Sequence, residues 1–264
     1  MNKRDGLALI LLMLAANAQA GMTVERLTWA GVKLVSGDTT VLIDAMATDI
    51  WNGDAPGGFV AASSDSRRTY ALITHAHNDH FDAAGLKALL GERGYVICHR
   101  SLAPYVASRG LRVIPADLYA PVMRGGFTFT AVPAEDGLGD EQVSWIVSDG
   151  NQKLLHAGDT LWHGQWESIG RQHGPFKLAF LPINGARVAR EPMPDTPAVQ
   201  SPLQALDAAL LLRAESLVPI HFGLNDPPHY VEVEAPLDTL IELADKRSQH
   251  VRHMKPGEAI TLGE

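Results

Sequence analysis

The sequence predicts a layered α/β fold, and three observations support this prediction. Between residues 70 and 114, short apolar runs typical of strands alternate with two runs typical of helices. Such alternation packs helices against a sheet. Strand-rich runs precede this segment, at residues 24–44, and follow it, at 122–157. A second alternation of strands and helices then extends towards the C-terminus, so the chain divides into two strand-rich halves with helices outside them.

Turn and cap residues set the bounds of the individual elements. Gly37-Asp38 predicts a hairpin between two strands, Asp82 begins a helix that Gly91 ends, and Ser201 caps another. The predicted strands are 24–30, 33–36, 40–44, 70–73, 95–98, 111–114, 122–132, 143–148, 153–157, 178–181, 217–220 and 259–262. The predicted helices are 82–90, 101–108, 162–172, 201–214 and 237–247, with Ser101 as the cap of the second.

Two long loops complete this prediction. Residues 46–68 are rich in glycine and serine and contain Trp51 and Phe59, which either line a substrate mouth or pin the loop to the core. Residues 183–200 contain three prolines. A loop of this length inside a domain is usually functional or mobile.

Residues 1–20 are typical of a secretory signal peptide. Lys3 and Arg4 precede the apolar run Leu7–Ala16, and a small-residue cleavage pattern ends the segment. The run is shorter than the ~20 apolar residues that a membrane span needs. We therefore expect a periplasmic or secreted protein whose mature chain, residues 21–264, is a single domain without an integral membrane segment. An uncleaved anchor helix is the alternative.

Charge and cysteine content restrict the classes of partner. The formal net charge is -8 and the isoelectric point about 5.7. An acidic chain repels phosphate backbones, so we expect a small-molecule substrate rather than nucleic acid. The sequence does not indicate the oligomeric state. Cys98 is the single cysteine, so no intramolecular disulfide is possible. It lies on a predicted strand and is expected to be a small core residue.

The residues around His75–Asp82 form one stretch that concentrates metal-binding side chains. Three histidines and two carboxylates lie within eight residues, directly after a predicted buried strand. His75 and His77 are two positions apart on extended backbone and point the same way, while Asp79 and His80 follow on a turning segment. Imidazole and carboxylate are the ligands that borderline divalent metals take. The stretch therefore predicts ligands for two adjacent metals.

The pattern His-x-His-x-Asp-His after an apolar strand resembles the signature of the metallo-β-lactamase-fold hydrolases. The chain also resembles this superfamily at Trp29-Ala30-Gly31, at Ala157-Gly158-Asp159-Thr160 and at Pro219-Ile220-His221-Phe222-Gly223. It is most similar to the branch that includes the ascorbate-phosphate lactonases and the N-acyl-phosphatidylethanolamine phospholipases. The resemblance implies a four-layer αββα sandwich, where the residue pattern alone predicts only a layered α/β fold.

The same resemblance implies a role for each motif residue. The implied ligands are His75 and His77 for one metal, Asp79, His80 and His221 for the other, and Asp159 as a bridge between them. Asp44, at the end of a predicted strand, would support the metal-binding loop without binding metal; a capping or salt-bridged carboxylate is the alternative.

One position departs from the family pattern. The first metal normally takes a third histidine after a strand that ends in Val-Pro-Ala, but Glu135 and Asp136 follow Ala134 here. Either Glu135 replaces the imidazole, which we favour, or Asp136 does, or the first site is weak. A carboxylate hardens the site and moves its preference from zinc towards manganese or iron(II). We expect two divalent ions, with zinc first and Mn²⁺ or Fe²⁺ as alternatives.

Further residues are candidates for catalysis or substrate binding. Asp79 is expected to lie beside the metal-bound hydroxide that attacks the substrate, and to accept or orient its proton. His163 follows the bridging aspartate by four residues and is a candidate proton donor to a leaving group. His229 is a candidate for the pocket edge, and Arg187 and Arg190 are candidates for holding an anionic group. For each of the last four, a solvent-facing residue is the alternative.

The expected function is metal-dependent hydrolysis. A hydroxide held between two metals would attack an ester, a lactone or a phosphodiester, and no serine or cysteine nucleophile is needed. One alternative is a metal- or ligand-binding protein of the same fold whose altered first site no longer catalyses. A second is an iron-dependent redox protein, which the lack of flavin or partner-domain sequence disfavours.

Overall fold

Two seven-stranded sheets dominate the structure, a computed structural model that describes residues 21–190 and 193–263. The predicted signal segment, residues 1–20, lies outside the described residues, and export of the protein stays a prediction. Within the described ranges no helix is both long and apolar enough to cross a membrane.

The first sheet is built from the N-terminal half and the last strand. Its strands are β1 (Met22–Arg26), β2 (Val32–Ser36), β3 (Thr39–Ile43), β4 (Arg68–Leu72), β5 (Tyr95–His99), β6 (Val113–Ala116) and β17 (Ala259–Leu262), in the order β17-β1-β2-β3-β4-β5-β6. The strands from β3 to β6 are parallel. Helix α1 (Ala83–Leu90) connects β4 to β5, and helix α2 (Ala103–Ser108) connects β5 to β6.

The second sheet is built from the C-terminal half. Its strands are β7 (Val122–Arg124), β8 (Phe127–Pro133), β9 (Val143–Ser148), β10 (Lys153–His156), β11 (Phe176–Pro182), β14 (Ala214–Ile220) and β16 (His250–Val251), in the order β16-β14-β11-β10-β9-β8-β7. The helices of this half are α3 (Trp166–His173), α4 (Pro202–Leu212) and α5 (Pro236–Lys246). A small third sheet has the order β13-β12-β15, from Met193–Pro197, Arg187–Arg190 and Tyr230–Val231.

Three buried apolar layers separate these elements. The central layer joins side chains from both sheets, such as Val24 and Ile43 with Trp145 and Phe180. One outer layer packs α3, α4 and α5 on the second sheet, and the other packs α1 and α2 on the first. The order helix, sheet, sheet, helix confirms the αββα sandwich. Cys98 lies in the outer layer under α1 and α2, and burial raises the pKa of its thiol to about 12.

Local signals set several element ends as predicted. The Asp82 carboxylate accepts the backbone N–H of Gly85 (2.8 Å) and caps α1, and Gly91, the C-cap residue, has a positive φ of 53°. Ser201 and Gln204 form a capping box at the start of α4. These caps satisfy backbone donors that would otherwise lack a partner.

Three predictions of local structure are wrong. Residues 183–200 are not one loop, because β12 and β13 pair antiparallel there. Prolines occur within β13 because it is the edge strand of the third sheet, where a missing donor costs little. The predicted strand 122–132 is broken by a turn at Gly125-Gly126, both with positive φ. Ser101 does not cap α2, whose N-cap is Leu102; the Ser101 side chain contacts His99 instead.

Candidate metal centre

Three segments that follow strands bring most of the predicted metal ligands together. The loop after β4 carries His75, His77, Asp79 and His80, while Asp159 follows β10 and His221 follows β14. Potential ligand atoms in this region form two groups, each with its atoms within 4.8 Å of one another. One group is Asp79, His80, Asp159 and His221, and the other is His75, His77 and Asp136.

The first of these groups, the Asp79 group, has the geometry of a cation site. The Nε2 atom of His221 lies 2.7 Å from one oxygen of Asp159, and Nε2 of His80 lies 3.0 Å from the other. Despite these distances, the contacts lack hydrogen-bond geometry, so the two Nε2 atoms and Oδ1 of Asp159 are buried with ion-pair contacts but without a hydrogen-bond partner. Unpaired buried polar atoms are costly and rare in native proteins. Two imidazoles and two carboxylates form a donor set suited to a divalent metal, so these residues fit a bound cation.

The second group, the His75 group, lies next to the first. Nε2 of His75 is 2.9 Å from Nδ1 of His77 and 4.0 Å from Oδ2 of Asp159. Asp159 therefore lies beside both groups, and this position is the one that a bridging carboxylate requires. The other ring nitrogen of His77, Nε2, contacts the carboxylate of Asp140 at 2.8 Å, which fixes the orientation of the ring.

The structure brings Asp136, rather than the favoured Glu135, to the His75 group. The backbone of Glu135 is held by Thr160 and Leu161: its N–H donates to Oγ1 of Thr160 (2.9 Å), and its carbonyl accepts the N–H of Leu161 (2.8 Å). The Glu135 side chain is exposed, while Asp136 is half-buried. Of these two neighbouring carboxylates, only that of Asp136 lies in a group with the two histidines.

The charges of the Asp79 group depend strongly on one another. Burial opposes ionisation of Asp159, yet His221 and His80 hold its pKa well below the usual range. Burial likewise disfavours a charged His80, but Asp159 and Asp79 raise its pKa well above normal. The free protein thus balances two carboxylates with imidazolium. A bound cation would take over this role and displace the proton, so metal binding should release protons.

Asp44 supports the site from behind, as the resemblance implied. Its carboxylate is buried and accepts the N–H and the hydroxyl of Thr74 (2.9 and 2.7 Å), and it lies 2.8 Å from Nδ1 of His80. A carboxylate on one ring nitrogen of a histidine fixes the tautomer and directs the other nitrogen towards the metal. Asp44 is therefore a positioning residue for His80.

Replacing Asp44 by asparagine should weaken metal binding. The Asp44→Asn amide keeps the size of the side chain, but it is a weaker hydrogen-bond acceptor for the N–H at Nδ1 of His80 than the carboxylate is. We expect metal affinity to fall about 10- to 100-fold, measured by competition with a chelator of known affinity. Asp149→Asn is the matched control, because one oxygen of Asp149 accepts the N–H groups of both Asn151 and Gln152, and the amide oxygen of asparagine can do the same. An equal loss of affinity in both variants would contradict this role.

Two aromatic residues of the site were not predicted from the sequence. The indole N–H of Trp29 donates to Oδ2 of Asp79 (2.9 Å), and its ring packs on His221 at 4.1 Å between centroids. The hydroxyl of Tyr230 accepts from the amide of Asn184 (2.7 Å) and lies 3.3 Å from Nδ1 of His221. Two features of the sequence could have indicated them: Trp29 lies in the opening motif Trp29-Ala30-Gly31, and Tyr230 follows the candidate pocket residue His229.

A cavity of about 190 Å³ opens onto the metal-binding groups. Its lining combines these groups with apolar side chains and one phenol: His77, Asp79, Asp136, Leu138, Asp159, Val188, Ala198, His221 and Tyr230. A small concave site with a few convergent polar groups is the usual form of an active site.

His163 does not have the properties of the predicted proton donor. It is buried and stacked on Trp166 with 4.1 Å between ring centroids, and its Nδ1 accepts the N–H of Gln165 (3.2 Å). Burial lowers the pKa of His163 to about 4, so the ring is neutral at pH 7. Because a general acid needs a pKa nearer the working pH, His163 is better explained as part of the packing around α3.

The predicted substrate-binding residues also lie elsewhere. His229 is exposed and does not line the cavity, whereas its neighbour Tyr230 does. Arg187 is exposed and bound to Asp195, and the next residue, Val188, lines the cavity in its place. The side chain of Arg190 lies outside the described part of the chain.

Comparison with known proteins agrees with this geometry. Residues 39–222 match the family model of the β-lactamase superfamily domain. A metal-dependent hydrolase of the UPF0173 group from Rubrobacter xylanophilus is 33% identical over 207 residues, which cover 72% of this chain and 77% of the relative. A second such hydrolase, from Thermus thermophilus, is 29% identical over 246 residues, covering 90% and 98% of the two chains.

A solved structure extends the similarity to the whole fold. Igni18, a metallo hydrolase from the archaeon Ignicoccus hospitalis, superposes with a TM-score of 0.72 at 21% identity. The match covers 92% of this chain and 99% of that one. Given the family match and the gathered ligands, the chain belongs to the metallo-β-lactamase superfamily, within the UPF0173 group of metal-dependent hydrolases.

Proposed function

We propose that this chain hydrolyses a small, uncharged ester or lactone with the help of two divalent cations. The observation that carries the proposal is the set of buried ligand atoms without hydrogen-bond partners, on His80, His221 and Asp159, beside a cavity of about 190 Å³. The lactonase-like resemblance points the same way but does not identify a substrate.

The residues that would hold the two cations form the groups described above. His75, His77 and Asp136 would hold one, Asp79, His80 and His221 the other, and Asp159 both. The bound pair would lower the pKa of a water molecule between them and polarise the substrate carbonyl. Because Asp136 adds a carboxylate, the first site is expected to accept Mn²⁺ or Fe²⁺ as well as Zn²⁺.

We assign two side chains, Asp79 and Tyr230, a direct role in the proposed reaction. His80 and His221 lower the pKa of Asp79 against the effect of burial, so its carboxylate is ionised and able to orient water or accept a proton. Trp29 holds this carboxylate through its indole N–H. Burial raises the pKa of Tyr230, so its hydroxyl keeps its proton and can donate to a substrate oxygen.

The lining of the cavity favours an uncharged substrate. Leu138, Val188 and Ala198 provide an apolar wall, and no lysine or arginine is among the described side chains that line the cavity. The two cations would attract a phosphodiester as well as a carbonyl, but the wall offers no cationic side chain for further negative charge away from the metals. At roughly 30 Å³ per heavy atom, the cavity holds about six heavy atoms, so it fits a small lactone or the reacting end of an ester.

The test compares substrates and metals on one preparation. Protein stripped with a chelator and reloaded with Zn²⁺ or Mn²⁺ is assayed with an aryl acetate, γ-butyrolactone and an aryl phosphodiester. We expect ester or lactone turnover about 100-fold above phosphodiester turnover, lost on chelation and restored by metal. Faster phosphodiester turnover would overturn the substrate class. Two bound metals with no turnover of any of the three would favour the metal-binding alternative.

A further inference from the structure

A second cavity, of about 250 Å³, lies next to Trp29 and shares no lining residue with the metal-site cavity. Its walls come from four separated parts of the chain: Arg26 and Trp29, Pro56 and Gly57, the Phe222-Gly223 turn after β14, and the segment 253–256. Trp29 separates the two cavities, since it lines this one and its indole N–H donates to Asp79 in the other. The separate lining of this cavity indicates a second binding site.

Arg26 forms the polar end of this second cavity. Only 4% of Arg26 is exposed, and its guanidinium donates to the backbone carbonyls of Leu27, Trp29 and Gly31. Its Nε atom is buried without a hydrogen-bond partner, and no carboxylate in the described ranges forms an ion pair with it. Burial lowers the pKa of Arg26 to about 9, so the side chain remains a cation at neutral pH.

A buried cation without a counter-ion is unfavourable, and an anion is the missing complement. Lys255 adds a second positive charge to the same cavity, while burial lowers the pKa of His253, which adds a neutral imidazole; none of the described lining residues carries a carboxylate. The nearby acid, Glu258, accepts the backbone N–H of Lys255 (3.1 Å) and is not part of the lining. The charge of the cavity therefore selects for a negatively charged group.

The rest of the lining is apolar and limits the size of the ligand. Trp29, Phe222, Met254 and Pro256 contribute aromatic and aliphatic surface. At roughly 30 Å³ per heavy atom, the volume of about 250 Å³ accommodates about eight heavy atoms. We propose that this cavity binds a small aliphatic monocarboxylate, with its carboxylate at Arg26 and its hydrocarbon chain against Trp29 and Met254.

The test uses hexanoate, which has this size and charge, and hexanamide, its neutral counterpart. Each is titrated by calorimetry into chelator-stripped protein and into zinc-loaded protein. We expect hexanoate to bind both forms with similar affinity, because the cavity contains no metal ligand, and to bind about tenfold more tightly than hexanamide. Binding to stripped protein separates this site from carboxylate binding at the metals, and it does not depend on the proposed reaction.

Variants test the location of the site. Lys255→Gln removes a charge from the rim and should weaken hexanoate binding about threefold, as expected for a partly solvated ion pair. Lys246→Gln, at the exposed end of α5, is the matched control and should leave binding unchanged. Arg26→Gln should abolish binding, but it also removes the hydrogen bonds from Arg26 to the carbonyls of the 27–31 turn. If the Arg26→Gln protein fails to fold, the Lys255→Gln variant still tests the proposal.

Three results would each overturn the proposal. Equal affinity for hexanoate and hexanamide would remove the role of charge. Binding seen only in zinc-loaded protein would place the carboxylate at the metals. Equal effects of Lys255→Gln and Lys246→Gln would show that overall charge, rather than this cavity, governs binding.

Discussion

Replacing Asp159 by alanine is expected to abolish metal-dependent turnover while leaving the sandwich folded. The carboxylate lies 2.7 Å from His221, 3.0 Å from His80 and 4.0 Å from His75, and is the only one that lies within 4.0 Å of ligands in both described groups. Its loss removes an anion from each cation site. Without it, three imidazoles face one another with less negative charge to attract a metal.

The expected size of the effect is large. In the Asp159→Ala variant, we expect bound metal to fall from about two equivalents to one or none. We expect kcat/KM to fall by at least about 10³-fold, or about 4 kcal/mol of transition-state stabilisation. Metal content by mass spectrometry and turnover on the best ester or lactone give the two readouts. Full metal content with turnover within tenfold of the parent protein would remove Asp159 from its assigned role.

Asp149→Ala is the matched control for this variant. Asp149 and Asp159 are both 7% exposed, but Asp149 caps the hairpin turn between β9 and β10 by accepting the N–H groups of Asn151 and Gln152. Its replacement should lower the free energy of unfolding and leave metal content unchanged. A loss of metal in both variants would attribute the effect of Asp159→Ala to unfolding.

The fold was predictable where local sequence signals agreed with one another. The alternation of strands and helices from Tyr70 to Ile114, the Asp82 cap and the Ser201 cap each have a local physical cause, and each is present in the structure. The third sheet was not predictable from the same signals. Pro194 and Pro197 disfavour a strand locally, and only the pairing of β13 at a sheet edge makes them acceptable.

The candidate metal ligands were predictable because several of them share one short loop. His75, His77, Asp79 and His80 are adjacent in sequence, so their convergence needs little tertiary information. The roles of Trp29 and Tyr230 depend on contacts between residues far apart in sequence, such as the indole N–H on Asp79. No spacing in the chain encodes such contacts. The choice between neighbouring carboxylates depended on which one the backbone turned inwards, and this too was not visible in the sequence.

The second prediction with a large expected effect concerns the choice between Glu135 and Asp136 as a metal ligand. Replacing Asp136 by asparagine should weaken metal binding at the His75 group, while Glu135→Gln should have no effect. Oδ1 of Asp136 accepts the backbone N–H of Leu138 (2.6 Å) and of Asp140 (3.2 Å), and an asparagine can keep both hydrogen bonds. The Asp136→Asn variant thus removes the charge without releasing the turn. Glu135→Gln makes the same chemical change one residue away on an exposed side chain.

We expect affinity for the more weakly bound metal to fall at least about tenfold in Asp136→Asn, with turnover falling about 100-fold. In Glu135→Gln both should stay within about twofold, as is usual for an exposed side chain. Isothermal titration calorimetry with metal measures the affinity. Initial rates at saturating metal measure turnover and show whether added metal restores it. The reverse outcome, with Glu135→Gln impaired and Asp136→Asn intact, would mean that the first metal takes Glu135.

Asp136→His extends this argument from affinity to metal preference. An imidazole in place of the carboxylate would give the first site three histidines, a softer and less negative donor set. Zinc affinity should therefore rise relative to manganese affinity by about tenfold compared with the parent protein. The ratio is informative because a general distortion of the loop would weaken both metals together. An unchanged ratio would mean that the side chain at position 136 does not contact the metal, so Asp136 would not be the residue that replaces the third histidine.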